Sequence, residues 1–206
     1  MVCTGVLDFR IIRPRLMDPD SPEATLTNLV DNEALARLGI TLEMGVVVTQ
    51  ALTAVWFYKL FRSVDTFAAG TLATFGMVNA AAIRCSGAFL ATALDVAVDP
   101  IGDAAATAQL LYLVSGNLWE VGMLFFGLWL IPMGWLVLRS GWMPRPLGWV
   151  LVAGGIGYVA SAFVGYLAPD ADVVAEALTV PASIGEFWMI GYLLVRGVNR
   201  RALDSR

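Results

Sequence analysis

The chain holds 206 residues, 58% of them apolar and 15% charged, with a formal net charge of −4 and no histidine. Its apolar residues gather in long runs, which excludes an ordinary water-soluble domain. The lack of histidine removes the commonest ligand for haem, zinc and copper and the usual general base near neutral pH.

The chain opens on Met1 to Leu7, a stretch too short for the apolar region of a signal peptide with a cleavage site. Arg10, Arg13 and Arg15 follow, accompanied by Asp8, Asp18, Asp20, Glu23, Asp31 and Glu33. Ser21 before Pro22 reads as an N-cap with proline in the first turn, which predicts a surface helix from about Pro22 to Ala34. Five apolar runs come next, Leu38 to Tyr58, Phe67 to Leu94, Leu118 to Leu138, Leu147 to Ala168 and Val173 to Val195. About 20 residues in a helix cover the roughly 30 Å hydrocarbon core, so each run can span it. Lipid offers the backbone no partners, so helix is the expected state. Asp103 is placed to cap a short helix over Ala104 to Val114, too short to span and expected on the outer surface. Cys3 and Cys85 lie in different kinds of segment, and no disulfide is expected between them.

The connections alternate in charge. Lys59 and Arg62 follow the first run, Arg139 and Arg145 the third, and Arg196, Arg200, Arg201 and Arg206 the fifth, which puts eight basic residues on one side. Asp95, Asp99 and Asp103, and then Asp170 and Asp172, mark the opposite loops, which hold no basic residue. Basic loops stay in the cytoplasm. The expected arrangement is therefore an all-α, polytopic transmembrane bundle over 38–197, with residues 1–37 exoplasmic and the tail over 198–206 cytoplasmic. Trp56, Phe57, Tyr58, Trp142, Trp149 and Tyr166 fall near run ends, as aromatic belts do.

The stretch LWEVGMLFFGLWLIPMGWLVLRSGWMPRPLGWVLVAGGIGYVASAFVGYLAPD, with VPASIGEFWMIGYLLVRG after it, resembles a bacterial membrane family known as domain of unknown function 4386. LFFGLWLIPMGWLVLRSGWMPRPLG is its most specific part; Arg37-Leu38-Gly39, Arg84 of AAIR and Glu186 also resemble family positions, so the resemblance covers roughly residues 35 to 200. It implies a helical fold in a bacterial inner membrane and no activity. It also implies one more membrane helix ahead of the first run, a place taken here by VCTGVLDFRIIRPRLMDPD, whose three arginines argue against a span.

Ionisable residues inside a span are costly and are the first place to look for function. Four qualify: Glu43, Arg84, Glu120 and Glu186, with Gln50 and Asn79 as neutral polar groups. At 1.5 Å per residue, Glu43, Arg84 and Glu120 lie outside the midpoints of their runs, and Glu186 near the middle of its own. Small residues one or two turns away mark helix contacts. Gly76, Ala80 and Ala88 flank Arg84, Gly127 and Gly134 are in register with Glu120, and Ala182 precedes Glu186. The expectation is a polar pocket open to the outer side, with Arg84 as sole cation before three carboxylates, binding a small polar ligand or lipid headgroup. The bland alternative is an Arg-Glu pair that fixes helix register. Gly157, Ser161 and Gly165 make the fourth run a close-packing partner, and Pro132 and Pro181 sit inside spans, where they kink helices.

No phosphate loop, paired-cysteine motif, Ser-His-Asp set or basic face for nucleic acid is visible. No cofactor or metal is implied, and no nucleophile for an intramembrane enzyme is evident. The expected partners are the lipid bilayer and either another membrane protein or a second copy of the chain; the rival function is that of an accessory subunit.

Overall fold

The computed structural model describes residues 11–168 and 170–198. Expectations for Met1 to Leu7, Cys3 and the tail arginines Arg200, Arg201 and Arg206 lie outside the described residues. Those described form seven helices and no strand: α1 (Arg13–Leu16), α2 (Pro22–Asp31), α3 (Glu33–Phe61), α4 (Thr66–Val98), α5 (Ala104–Ser140), α6 (Arg145–Leu167) and α7 (Asp172–Val195). The last five are long and apolar enough to cross a membrane. At 1.5 Å per residue they measure about 35 to 55 Å against a hydrocarbon core of about 30 Å.

Local chemistry sets most boundaries. Ser21 caps α2, its Oγ accepting the Ala24 N–H at 3.2 Å, with Pro22 in the first turn. Asp65 caps α4 by accepting the Ala68 N–H at 3.0 Å. Gly141, at φ 68, takes the left-handed conformation in the turn between α5 and α6 that a β-carbon disfavours. The surface helix ends at Asp31, and α3 begins at Glu33, before the apolar run. The stretch 104–114 is not a separate helix: α5 runs unbroken from Ala104 to Ser140. Ser115, Gly116 and Asn117 are weak helix formers, but none removes a backbone donor as proline does. Pro132 and Pro181 are accommodated inside α5 and α7.

The chain divides into two units, Met1–Ala51 with Ala80–Gly122 and Leu52–Asn79 with Met123–Arg206. In the first unit, Ile12, Leu16, Leu29, Ala36, Leu90, Leu94, Ala97, Ala108 and Tyr112 form an apolar core. The segment around α1, whose three arginines argue against a span, therefore packs into this core. Gln109 holds it by donating to the Asp18 carbonyl at 3.1 Å, and the Tyr112 hydroxyl donates to that of Arg13 at 3.3 Å.

In the second unit, glycines let helices approach closely. A β-carbon on Gly155 would lie 2.7 Å from the Gly127 carbonyl, and one on Gly148 would lie 2.9 Å from that of Gly134, which brings α6 onto α5. One on Gly154 would lie 2.6 Å from the Ala182 nitrogen, which brings α7 onto α6. Gly165, by contrast, faces open space. Trp142, expected in an interfacial belt, is instead buried and stacked on Phe61 at 5.6 Å between ring centroids. Trp56, Trp149 and Tyr166 are exposed.

Candidate functional site

A buried polar cluster lies in the first unit and is built around a residue that the sequence did not single out. Arg13, on α1, has a side chain only 8% exposed, and its Nη2 donates to Glu43 Oε1 on α3, itself 2% exposed. The same nitrogen reaches Ser86 Oγ on α4 at 3.2 Å and Ser115 Oγ on α5 at 3.3 Å. Ser86 Oγ in turn donates to the Ser115 carbonyl at 2.9 Å. The guanidinium also lies over the rings of Tyr112 and Trp119, 5.8 and 5.7 Å from their centroids, within range of a cation–π attraction. One arginine thus ties together four helices at a single level.

Gly87 is part of the same arrangement. A β-carbon there would sit 2.7 Å from Glu43 Oε2 and 3.6 Å from Arg84 Nη1. The missing side chain leaves room for the carboxylate, with a second guanidinium close by. Beside Arg13 a recess of about 10 Å³ is lined by Ile12, Leu16, Leu29, Gly39, Ile40 and Tyr112 among others, room for no more than one water.

Of the residues expected to form the outer pocket, the first unit holds Glu43, Arg84, Glu120 and Gln50. Glu43 is buried, but its direct partner is Arg13. Arg84 and Glu120 are exposed, and neither makes an ion pair among the described residues. Gln50 is fully buried, with neither amide atom hydrogen-bonded among the described residues. In the second unit Asn79 is buried and Glu186 half-buried. The inward stripe expected for Arg84 turns as it climbs. Gly76 and Ala80 are buried while Arg84 and Ala88 are exposed, because successive i+4 positions rotate by about 40° at 3.6 residues per turn. Glu120 stands beyond the glycine contacts of Gly127 and Gly134, so their register does not bury it.

Arg13 escaped sequence reading because three arginines in sixteen residues argued against a span and left the segment in the exoplasmic stretch ahead of the bundle. One signal was available: a lone intramembrane cation facing three acids left charge unbalanced, and Ile12 and Leu16 share a face beside Arg13. Among the described residues no group of three or more Cys, Asp or Glu side chains is arranged to hold a metal.

Five apolar spanning helices define a multi-pass α-helical membrane protein. The chain belongs to the family described as a domain of unknown function (DUF4386), which it matches over residues 1–197. That match takes in Arg13 and the whole stretch ahead of Arg37, which the sequence resemblance had left out. No curated protein and no solved structure matches the chain.

Proposed function

We propose that this chain is a non-catalytic membrane protein that works by packing against another membrane protein, with the α4–α5 hairpin of its first unit as the contact. The observation that carries the reading is the exposure of Arg84 and Glu120, each two residues from the midpoint of its helix. A charge facing hydrocarbon near mid-helix costs at least about 2.5–3.5 kcal/mol on insertion scales, so such residues normally face protein or water. The buried Arg13–Glu43 cluster fits a structural role, because the recess beside it admits nothing larger than water. Alternating loop charge supports a cytoplasmic C-terminus, and the resemblance to a bacterial membrane family supports a location in the bacterial inner membrane.

A second reading, recognition of a lipid headgroup or small polar ligand on the outer side, is favoured by the exposed guanidinium of Arg84, a group suited to phosphate or carboxylate. Native mass spectrometry of the protein in mild detergent separates the two. Packing predicts a protein assembly that dissociates in Arg84→Gln; recognition predicts a monomer carrying a small adduct that Arg84→Gln loses. A bare monomer would contradict both.

A further inference from the structure

Resting on that packing reading, we propose that the partner is a second copy of this chain, joined by reciprocal Arg84–Glu120 ion pairs between the exposed faces of α4 and α5. The exposed face of α4 carries Ala81, Arg84, Cys85 and Ala88, and that of α5 carries Leu110, Leu113, Asn117, Glu120 and Val121. One face thus offers a cation and the other an acid, and neither ion-pairs among the described residues of its own chain.

Depth makes the charges complementary across a two-fold axis. The hydrogen bond from Ser86 Oγ to the Ser115 carbonyl fixes the register of the antiparallel hairpin. Moving two residues from Ser86 to Arg84 runs the same way as moving two from Ser115 to Asn117, so Arg84 is level with Asn117. Glu120 is three residues further along, about 4.5 Å at 1.5 Å per residue, within reach of an arginine side chain. An axis along the membrane normal preserves depth. Arg84 of each copy then meets Glu120 and Asn117 of the other, the reciprocal pattern of a closed dimer. Ala81 and Ala88, one turn below and above Arg84 on the exposed face, let the backbones approach as small residues do in membranes.

The test exploits that symmetry. Arg84→Glu gives a face with two acids and Glu120→Arg a face with two cations, so each repels itself and attracts the other. Donor- and acceptor-labelled full-length chains are reconstituted in phosphatidylethanolamine–phosphatidylglycerol vesicles, and energy transfer is followed as lipid dilutes the protein. Wild type should associate; each reversal alone should weaken self-association by about a hundredfold or more, since like-charge juxtaposition is costly; the mixture should associate as wild type does. Pairing in the mixture also shows that both variants fold. Unchanged association of either single variant overturns the proposal, as does a mixture that fails to pair. If the reversals do not insert, Arg84→Gln and Glu120→Gln in a double-mutant cycle take their place: coupling supports the pair and additivity overturns it. Bifunctional cross-linking from the exposed Cys85 in a Cys3→Ser chain in native membranes separates the two levels. A wild-type chain that is monomeric in vesicles yet cross-links to a different protein sinks self-pairing and leaves the packing reading standing. A chain that cross-links to no protein sinks both.

Discussion

Arg13 and Glu43 are buried together, and a buried ion pair is an ambiguous contributor to stability. Removing both charges from water costs several kcal/mol per ion, and mutual attraction returns that only when the remaining groups are also satisfied. Here Ser86, Ser115 and two aromatic faces supply the extra partners for the guanidinium. The prediction follows from that asymmetry. Arg13→Ala or Glu43→Ala strands a buried charge and should lower stability by about 3–5 kcal/mol, whereas Arg13→Met with Glu43→Leu should cost much less. Tryptophan fluorescence during SDS titration measures both; a double variant as unstable as the sum of the singles would contradict the argument. Glu43 itself was legible in the sequence, because an acid inside an apolar run must find a partner. Which partner was not, since the answer depends on a four-residue helix, α1, that no periodicity announces.

At the scale of the element, glycines decide how α6 meets its neighbours, and the sequence could count them without ranking them. Gly157 and Gly165 look alike in a spacing argument, yet Gly157 lies against the Leu178 carbonyl and Gly165 against nothing. Glycine to alanine in a helix gains about 0.5–1 kcal/mol from backbone entropy, so the sign depends on the space available. Gly165→Ala should be neutral or slightly stabilising. Gly154→Ala pushes a methyl into the backbone of Ala182 at 2.6 Å and should destabilise by about 1–3 kcal/mol net; equal melting temperatures for the two variants would count against the close approach of α6 and α7. The start of α4 carries a pH-dependent feature of its own. The Ala68 N–H is the main group holding the Asp65 carboxyl below its usual range, with help from Trp135 and Arg139 against partial desolvation. Arg139 donates to Asp65 Oδ2 at 2.9 Å. A depressed acid stabilises the fold above its unfolded pKa, and that contribution is lost as pH falls through the folded value. Wild type should therefore lose stability below about pH 4 more steeply than Asp65→Asn, compared by SDS titration across that range. Parallel profiles would remove Asp65 from the account. The five spans themselves were readable from run length; the merging of 104–114 into α5 was not, because Ser-Gly-Asn weakens a helix without ending it.

For the whole molecule, orientation is the property from which the location of every exposed charge follows. Lys59, Arg62, Arg139, Arg145 and Arg196 are all exposed, as are Asp95, Asp99 and Asp103, so none is neutralised by burial. Lys and Arg near the ends of spans hold a loop in the cytoplasm, while acids contribute little, so the basic side should be inside. Two neutral positions read this out without disturbing the charge: Ile101, 71% exposed between α4 and α5, and Ser63, exposed between α3 and α4. In a chain carrying Cys3→Ser and Cys85→Ala, a membrane-impermeant maleimide should label Ile101→Cys in intact cells and Ser63→Cys only after permeabilisation. The reverse pattern would invert the topology and carry Arg84 and Glu120 to the inner leaflet, leaving their mutual depth and the proposed pairing intact. Labelling of both from one side would be more damaging, since α4 alone separates the two positions and would then fail to cross. Only the expected pattern is compatible with both the four spans that follow Ser63 and a cytoplasmic C-terminus.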